Sequence, residues 1–145
     1  MKPDRHHARV LAMQALCQLE VQGDDLLGNA EILIRDTDDE AAPNLLTTHY
    51  ARVLATAAWE NRAESAKRIK AAGPRWDVER MGAVERNVIR TAIAEWEKQG
   101  VPPKVVLNEA IEIAREYASA ESAGFVNGVL DQLHGNKGLA DKGTE

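Results

Sequence analysis

The 145-residue sequence contains one cysteine, one phenylalanine and no apolar run long enough to cross a membrane. An internal disulfide needs two cysteines, so Cys17 excludes the class of small secreted domains that depend on disulfides. A membrane-spanning helix needs about 20 apolar residues, and the N-terminus also lacks the shorter apolar run of a signal peptide. We therefore expect a single domain in the reducing cytoplasm, with enough residues to bury a substantial core.

The sequence also lacks the motifs of common catalytic sites. It has no GxxxxGK[ST] phosphate loop, no GxGxxG fingerprint, no HExxH zinc helix and no GxSxG elbow. Cys17 and the histidines do not have the spacing of a metal site, because adjacent His6 and His7 would project about 100° apart on a helix. Glu109 and Glu112 have no histidine near them in the sequence, which favours surface or capping charges. We predict a protein that is not an enzyme and that needs no cofactor or metal.

The negative charge of the chain is concentrated in one segment. The formal net charge is −5, but residues 23–49 hold seven acidic residues and one arginine, so that the rest of the chain carries +1. The first nine residues contain Lys2, Arg5 and Arg9 against Asp4. A basic patch that binds phosphate is therefore compatible with the acidic total. The run of acidic residues at 36–40 is interpreted as an exposed loop.

Apolar residues recur at spacings of three and four without sustained alternation, which predicts an all-α fold of six or seven helices. The first helix carries a stripe from Ala8 to Leu19, and a second short helix is predicted at residues 30–34. A long helix is predicted from Asn44 to Ala72, ended by Gly73. Three more helices follow: one closed by Gly100, one begun by Pro102 and Pro103, and one capped by Ser119 or Ser122. Residues 1–134 are predicted to form the domain, and residues 135–145 a disordered tail.

Three separated motifs resemble the NusB family of bacterial transcription antitermination factors. The first is the arginine- and histidine-rich opening Arg5–Arg9, which runs into Ala12-Met13-Gln14-Ala15-Leu16. The second lies within residues 76–90. The third combines the VPPKVVLNEAIEIA segment at 101–114 with the FVNGVL segment at 125–130, and it is the longest and most specific. Together the motifs extend over nearly the whole predicted domain.

This resemblance implies two stacked helical subdomains and a binding function without catalysis. Family members bind boxA-type single-stranded RNA in ribosomal RNA leader transcripts together with NusE, a small-subunit ribosomal protein. The assembly makes RNA polymerase resist termination. A homodimer that hides the RNA surface is an alternative assembly in this family.

The resemblance also implies which residues bind RNA. Arginine contacts phosphate bidentately, and unpaired bases offer faces on which an aromatic ring can stack. For Phe125, a place in the hydrophobic core is as well supported as base stacking. The sequence departs from the family pattern at His6 and His7, which replace arginines, and at Cys17, Ala123 and Gly124. We therefore expect NusE to supply missing positive charge and to raise RNA affinity. The implied RNA-binding residues are Lys2, Arg5, His6, His7, Arg9, Glu121 and Phe125.

For the protein partner, Glu79 and Glu85 match acidic positions of the family that face NusE. Acidic groups suit a basic ribosomal protein, because complementary charge accelerates encounter and fixes orientation. No strong partner for Glu85 is apparent within its own helix. Two alternatives stay open. The chain also resembles the NusB-like N-terminal domain of certain ribosomal RNA cytosine methyltransferases, and it could serve as a protein-only helical adaptor.

Overall fold

A computed structural model describes residues 3–22 and 45–135 of the chain. These ranges contain no β-strand, which confirms the all-α prediction, and no helix within them is long and apolar enough to span a membrane. Lys2, the predicted helix at 30–34, the acidic segment at 36–40 and the predicted tail after Gly135 lie outside the described residues. Residues 3–22 and 45–135 form six α-helices, α1 (Arg5–Gln22), α2 (Leu45–Glu60), α3 (Arg62–Ala72), α4 (Ala83–Lys98), α5 (Pro103–Tyr117) and α6 (Ala120–Gly135), and a 3₁₀ helix spans Val78–Arg80.

Helix α1 packs on one face against α2 and on the other against the helices α3, α4, α5 and α6. The face away from α2 contributes Val10 and Met13 to the main hydrophobic core, which α1 shares with those four helices. This arrangement agrees with the predicted stack of two helical subdomains, and it brings side chains from both groups to the start of α1. The face toward α2 packs through small and branched side chains, which are Ala8, Leu11, Ala12, Ala15, Ala51, Leu54 and Ala55.

The ends of the later helices follow the predicted signals. Gly100 follows the end of α4 and has a φ of 69°, a conformation that glycine adopts without steric cost. Pro103 is the first residue of α5. An N–H at this position would have no acceptor within the helix, so proline is tolerated there. The Ser119 hydroxyl accepts a 3.0 Å bond from the backbone N–H of Ser122 and so caps α6.

The predicted long helix from Asn44 to Ala72 is wrong, because the helix breaks at Asn61. The Asn61 amide donates a 2.8 Å hydrogen bond to the carbonyl of Ala57, and Arg62 donates a 2.6 Å bond to the carbonyl of Trp59. The backbone N–H of Asn61 also donates to the Ala57 carbonyl at 3.1 Å, so the asparagine side chain shares this acceptor with the last helical bond of α2. Asn61 has φ −101° and ψ 12°, and α3 begins at the next residue.

Candidate nucleic-acid and protein interface

The start of α1 presents Arg5 to solvent while Asp4 anchors the chain beside it. The backbone N–H of Asp4 donates a 2.7 Å bond to the Thr47 hydroxyl of α2, and the Asp4 carboxylate accepts a 3.0 Å bond from the N–H of His7. The guanidinium of Arg5 lies 5.0 Å from the ring centroid of Tyr50, within the range of a cation–π contact. Arg5 is exposed, so that its N–H groups can reach a phosphate.

Arg9 does not lie on the same surface. Its side chain is 8% exposed, and it donates bonds of 2.7 and 2.8 Å to the Glu95 carboxylate and one of 3.0 Å to Glu109. Burial opposes the charge of Arg9, but the two carboxylates outweigh that cost and raise its pKa. The prediction that Arg9 contacts phosphate directly does not fit this position, because its hydrogen bonds and its charge are already used inside the protein.

Tyr50 joins the exposed and buried parts of this cluster. Its hydroxyl donates a 2.6 Å bond to the same Glu95 carboxylate that holds Arg9. Burial and this bond to a carboxylate raise the pKa of Tyr50 to about 12, so the hydroxyl keeps its proton at neutral pH. The aromatic ring under Arg5 is therefore fixed through Glu95 to α4.

His6 lies against helix α5 rather than pointing freely into solvent. Its Nδ1 is 2.9 Å from Glu109 Oε1, and its Nε2 is 4.0 Å from Glu116 Oε1. The expectation that no histidine accompanies Glu109 is wrong, because the fold brings His6 to it from 103 residues away. His7 is half-buried at the same helix start.

The predicted RNA residues of α6 differ in exposure. Glu121 is exposed in the first turn, whereas Phe125 is half-buried and packs against the main hydrophobic core. Phe125 therefore combines a core contact with a face that a base can reach. No atom lies within 4 Å of a Cβ placed at Gly128, so close packing against another helix does not require a glycine there.

The predicted RNA residues come from the starts of two helices. Arg5, His6 and His7 lie in the first turn of α1, and Glu121 and Phe125 lie in the first two turns of α6.

The predicted partner residues have different environments. Glu79 is exposed on the 3₁₀ helix, where its backbone N–H is held by the carboxylate of Asp77 at 3.0 Å. Glu85 has internal partners that the sequence did not indicate: its carboxylate accepts a 2.6 Å bond from the Ser122 hydroxyl of α6 and a 3.2 Å bond from the Gly82 N–H. Glu85 therefore ties the start of α4 to the start of α6, next to Glu121.

Sequence reasoning missed a charged network beside Glu79. The Glu20 carboxylate accepts bonds of 2.5 and 2.7 Å from Arg86 and one of 2.6 Å from Arg90, which joins the end of α1 to α4. Burial opposes the charge on Glu20, but the arginines outweigh it and lower its pKa. The spacing of Arg86 and Arg90, one helical turn apart, was the available signal. The network borders an open cleft of about 340 Å³ that Glu79 also lines.

Cys17 is partly buried and packs against the main hydrophobic core. Its Sγ accepts a 3.5 Å hydrogen bond from the Asn87 amide. Burial raises the pKa of the thiol, which favours its unreactive neutral form.

Comparisons with known proteins agree over most of the chain. A profile of the NusB family matches residues 6–134. The transcription antitermination protein NusB of Symbiobacterium thermophilum is 39% identical over 142 residues, covering 94% of this chain and 93% of the relative. The NusB structure from T. maritima is 31% identical, with a TM-score of 0.76 and 92% coverage of both chains. A chain in the crystal structure of antitermination factors NusB and NusE in complex with dsRNA has a TM-score of 0.75 and 26% identity, covering 89% of this chain and 94% of that one.

Proposed function

This chain belongs to the NusB family, and we propose that it is a non-enzymatic transcription antitermination factor that binds boxA-type RNA together with NusE. The observation that carries the RNA part is the exposed guanidinium of Arg5, held on Tyr50 at the start of α1. The solved complex of antitermination factors NusB and NusE with dsRNA supports RNA and NusE as partners.

We assign direct RNA contact to Arg5, His7 and Phe125, and to Lys2 ahead of them. Arg5 contacts phosphate, and the accessible face of Phe125 stacks on a base. Glu121, exposed one turn before Phe125, accepts hydrogen bonds from base or ribose groups. Arg9 has a structural role beneath this surface, because its buried bonds to Glu95 and Glu109 fix α1 against α4 and α5. His6 joins the contact set when RNA phosphate displaces its hydrogen bond to Glu109.

The NusE surface in this proposal centres on Glu79. Glu79 is the exposed carboxylate of the predicted pair, and it borders the cleft lined by Arg86 and Arg90. Glu85 contributes by holding the starts of α4 and α6 together, so the two surfaces share a structural support. The RNA-bound pair then acts on RNA polymerase, and a homodimer would compete with it by covering the RNA surface.

Fluorescence anisotropy with a labelled boxA-type RNA and a scrambled RNA tests the proposal, with and without NusE. We expect selective binding of the boxA-type RNA, and we expect NusE to strengthen it. Arg5→Ala should weaken this binding about 5-fold or more. Lys67→Ala is the matched control, because it removes an exposed charge from α3, outside both proposed surfaces. Glu79→Lys should weaken NusE binding but leave the RNA affinity of the isolated chain unchanged.

The salt dependence separates a few phosphate contacts from a broad basic surface. Each phosphate contact to a single strand contributes a slope of about −0.7 in log K against log salt. With Arg5 and Lys2 as the main cations, we expect a slope between about −1 and −2 for the isolated chain, and a steeper one with NusE. Equal binding of both RNAs in both mixtures would contradict the proposal and leave a protein-only adaptor.

A further inference from the structure

A cluster of nitrogen and oxygen ligands lies where the start of α1 meets α5. We propose that His6, Glu109 and Glu112 bind a divalent first-row transition metal ion, for which zinc is the test ion. One ligand atom from each residue lies within 4.8 Å of the other two. Glu109 and Glu112 are three residues apart on α5 and so share a face, while His6 comes from a different helix.

The distances within the cluster are close to those of a bound ion. Zinc binds imidazole nitrogen and carboxylate oxygen at about 2.0–2.2 Å, which separates two ligands of a tetrahedral site by about 3.3 Å. His6 Nδ1 and Glu109 Oε1 are already 2.9 Å apart. The three ligand atoms lie within 4.8 Å of one another, so that reaching the tetrahedral separation requires a movement of at most about 1.5 Å. Rotation of the exposed Glu112 side chain supplies this movement.

The ligand types select the class of ion. A neutral imidazole with two carboxylates suits zinc and its first-row neighbours, whereas magnesium and calcium prefer oxygen ligands alone. The cluster opens into a cleft of about 310 Å³ lined by His6, Glu112, Arg115 and Glu116, which leaves room for water as the remaining ligand. Glu116 lies 4.0 Å from His6 Nε2 and adds a third negative charge nearby.

Two arginines oppose the ion electrostatically, and the structure limits their effect. Arg9 donates at 3.0 Å to Glu109 Oε1, the same oxygen that faces His6 Nδ1, but its charge is also shared with the buried Glu95 carboxylate. Arg115 lines the outer cleft, where solvent screens it. The bond from Arg9 also orients Glu109, in the manner of the hydrogen bonds that commonly hold metal ligands in place.

Bound metal would fasten α1 to α5. The ion would replace the single hydrogen bond between His6 and Glu109 with coordination to three side chains. Because the site requires the folded arrangement of both helices, binding should raise the melting temperature by several degrees at saturating zinc.

The test is a zinc titration of the full chain in competition with a chromophoric chelator, in the absence of RNA and NusE. We expect one ion per chain. His6→Gln and Glu112→Gln should each weaken binding about 10-fold or more, and circular dichroism should show that both are folded. His49→Gln is the control, because it removes an exposed histidine of α2 outside the cluster and should leave the affinity within twofold.

Absence of saturable zinc binding would overturn the proposal. So would an affinity in Glu112→Gln equal to that of the original chain, because Glu112 is exposed and its replacement should not disturb folding. Both results leave the RNA and NusE proposal standing, because the anisotropy experiment measures those affinities in the absence of zinc.

Discussion

Replacement of Arg9 by methionine should destabilise the protein strongly, because it leaves the buried Glu95 carboxylate without its counter-ion. The Glu95 side chain is 1% exposed, and after the change only the 2.6 Å bond from Tyr50 would remain of its three hydrogen bonds. Breaking a buried ion pair by removing one partner costs about 3–5 kcal/mol. Typical domains have only about 5–15 kcal/mol of stability, so this is a large fraction.

Urea unfolding followed by far-UV circular dichroism measures this loss. Arg5→Met is the matched control, since it removes an exposed arginine from the same helix and should cost less than about 1 kcal/mol. Adding Glu95→Gln to Arg9→Met should restore part of the lost stability, because the uncompensated charge is removed.

The outcome distinguishes a supporting role of Arg9 from direct RNA contact. If Arg9→Met lowers stability by less than about 1 kcal/mol but weakens RNA binding as much as Arg5→Ala, the reasoning from burial fails. Arg9 would then be free enough to contact phosphate.

Three further substitutions test the packing of the helices. His134 is fully buried against Trp96, and burial lowers the pKa of its imidazole to about 4. Between about pH 4 and pH 6.5 this imidazole is protonated in the unfolded chain but neutral in the folded one. The free energy of unfolding should therefore fall by about 2 kcal/mol from pH 7 to pH 5 through this residue. Urea unfolding at both pH values should show that His134→Phe removes this part of the loss, and an unchanged difference would contradict the assignment. Gly73→Ala should lower stability by about 1–3 kcal/mol, because its Cβ would lie 2.6 Å from Trp76. Gly124→Ala, where nothing lies within 4 Å, should instead raise the melting temperature.

Local signals were sufficient for most of the fold. The apolar spacing of α1 predicted its buried face, and Gly100, Pro103 and Ser119 correctly marked the ends of later helices. These signals act within a few residues, so they can be recognised in one sequence. The break at Asn61 was missed because the residues on both sides of it are compatible with a helix, and the break lies in the backbone conformation of this single residue.

The candidate site was less predictable, because its charges are paired across distant parts of the chain. Arg5 and Arg9 are one helical turn apart, yet Arg5 is exposed and Arg9 is buried. The difference comes from Glu95, which is separated from Arg9 by 86 residues. A signal was present in the sequence, since Glu95 lies three residues after Ala92 on the buried face of α4. A buried carboxylate requires a cation or several hydrogen bonds.

This pairing gives a physical reason for dependence on a protein partner. The basic N-terminal segment has few positive charges available to RNA. Arg9 is paired with Glu95 and Glu109, and His6 faces Glu109 and Glu116. The carboxylates that fix α1 thus also repel phosphate at its surface. Selective binding then needs either cations from a basic partner such as NusE or neutralisation of those carboxylates. The anisotropy titration with and without NusE measures the first route, and the zinc titration shows whether a metal ion binds the carboxylates that the second route requires.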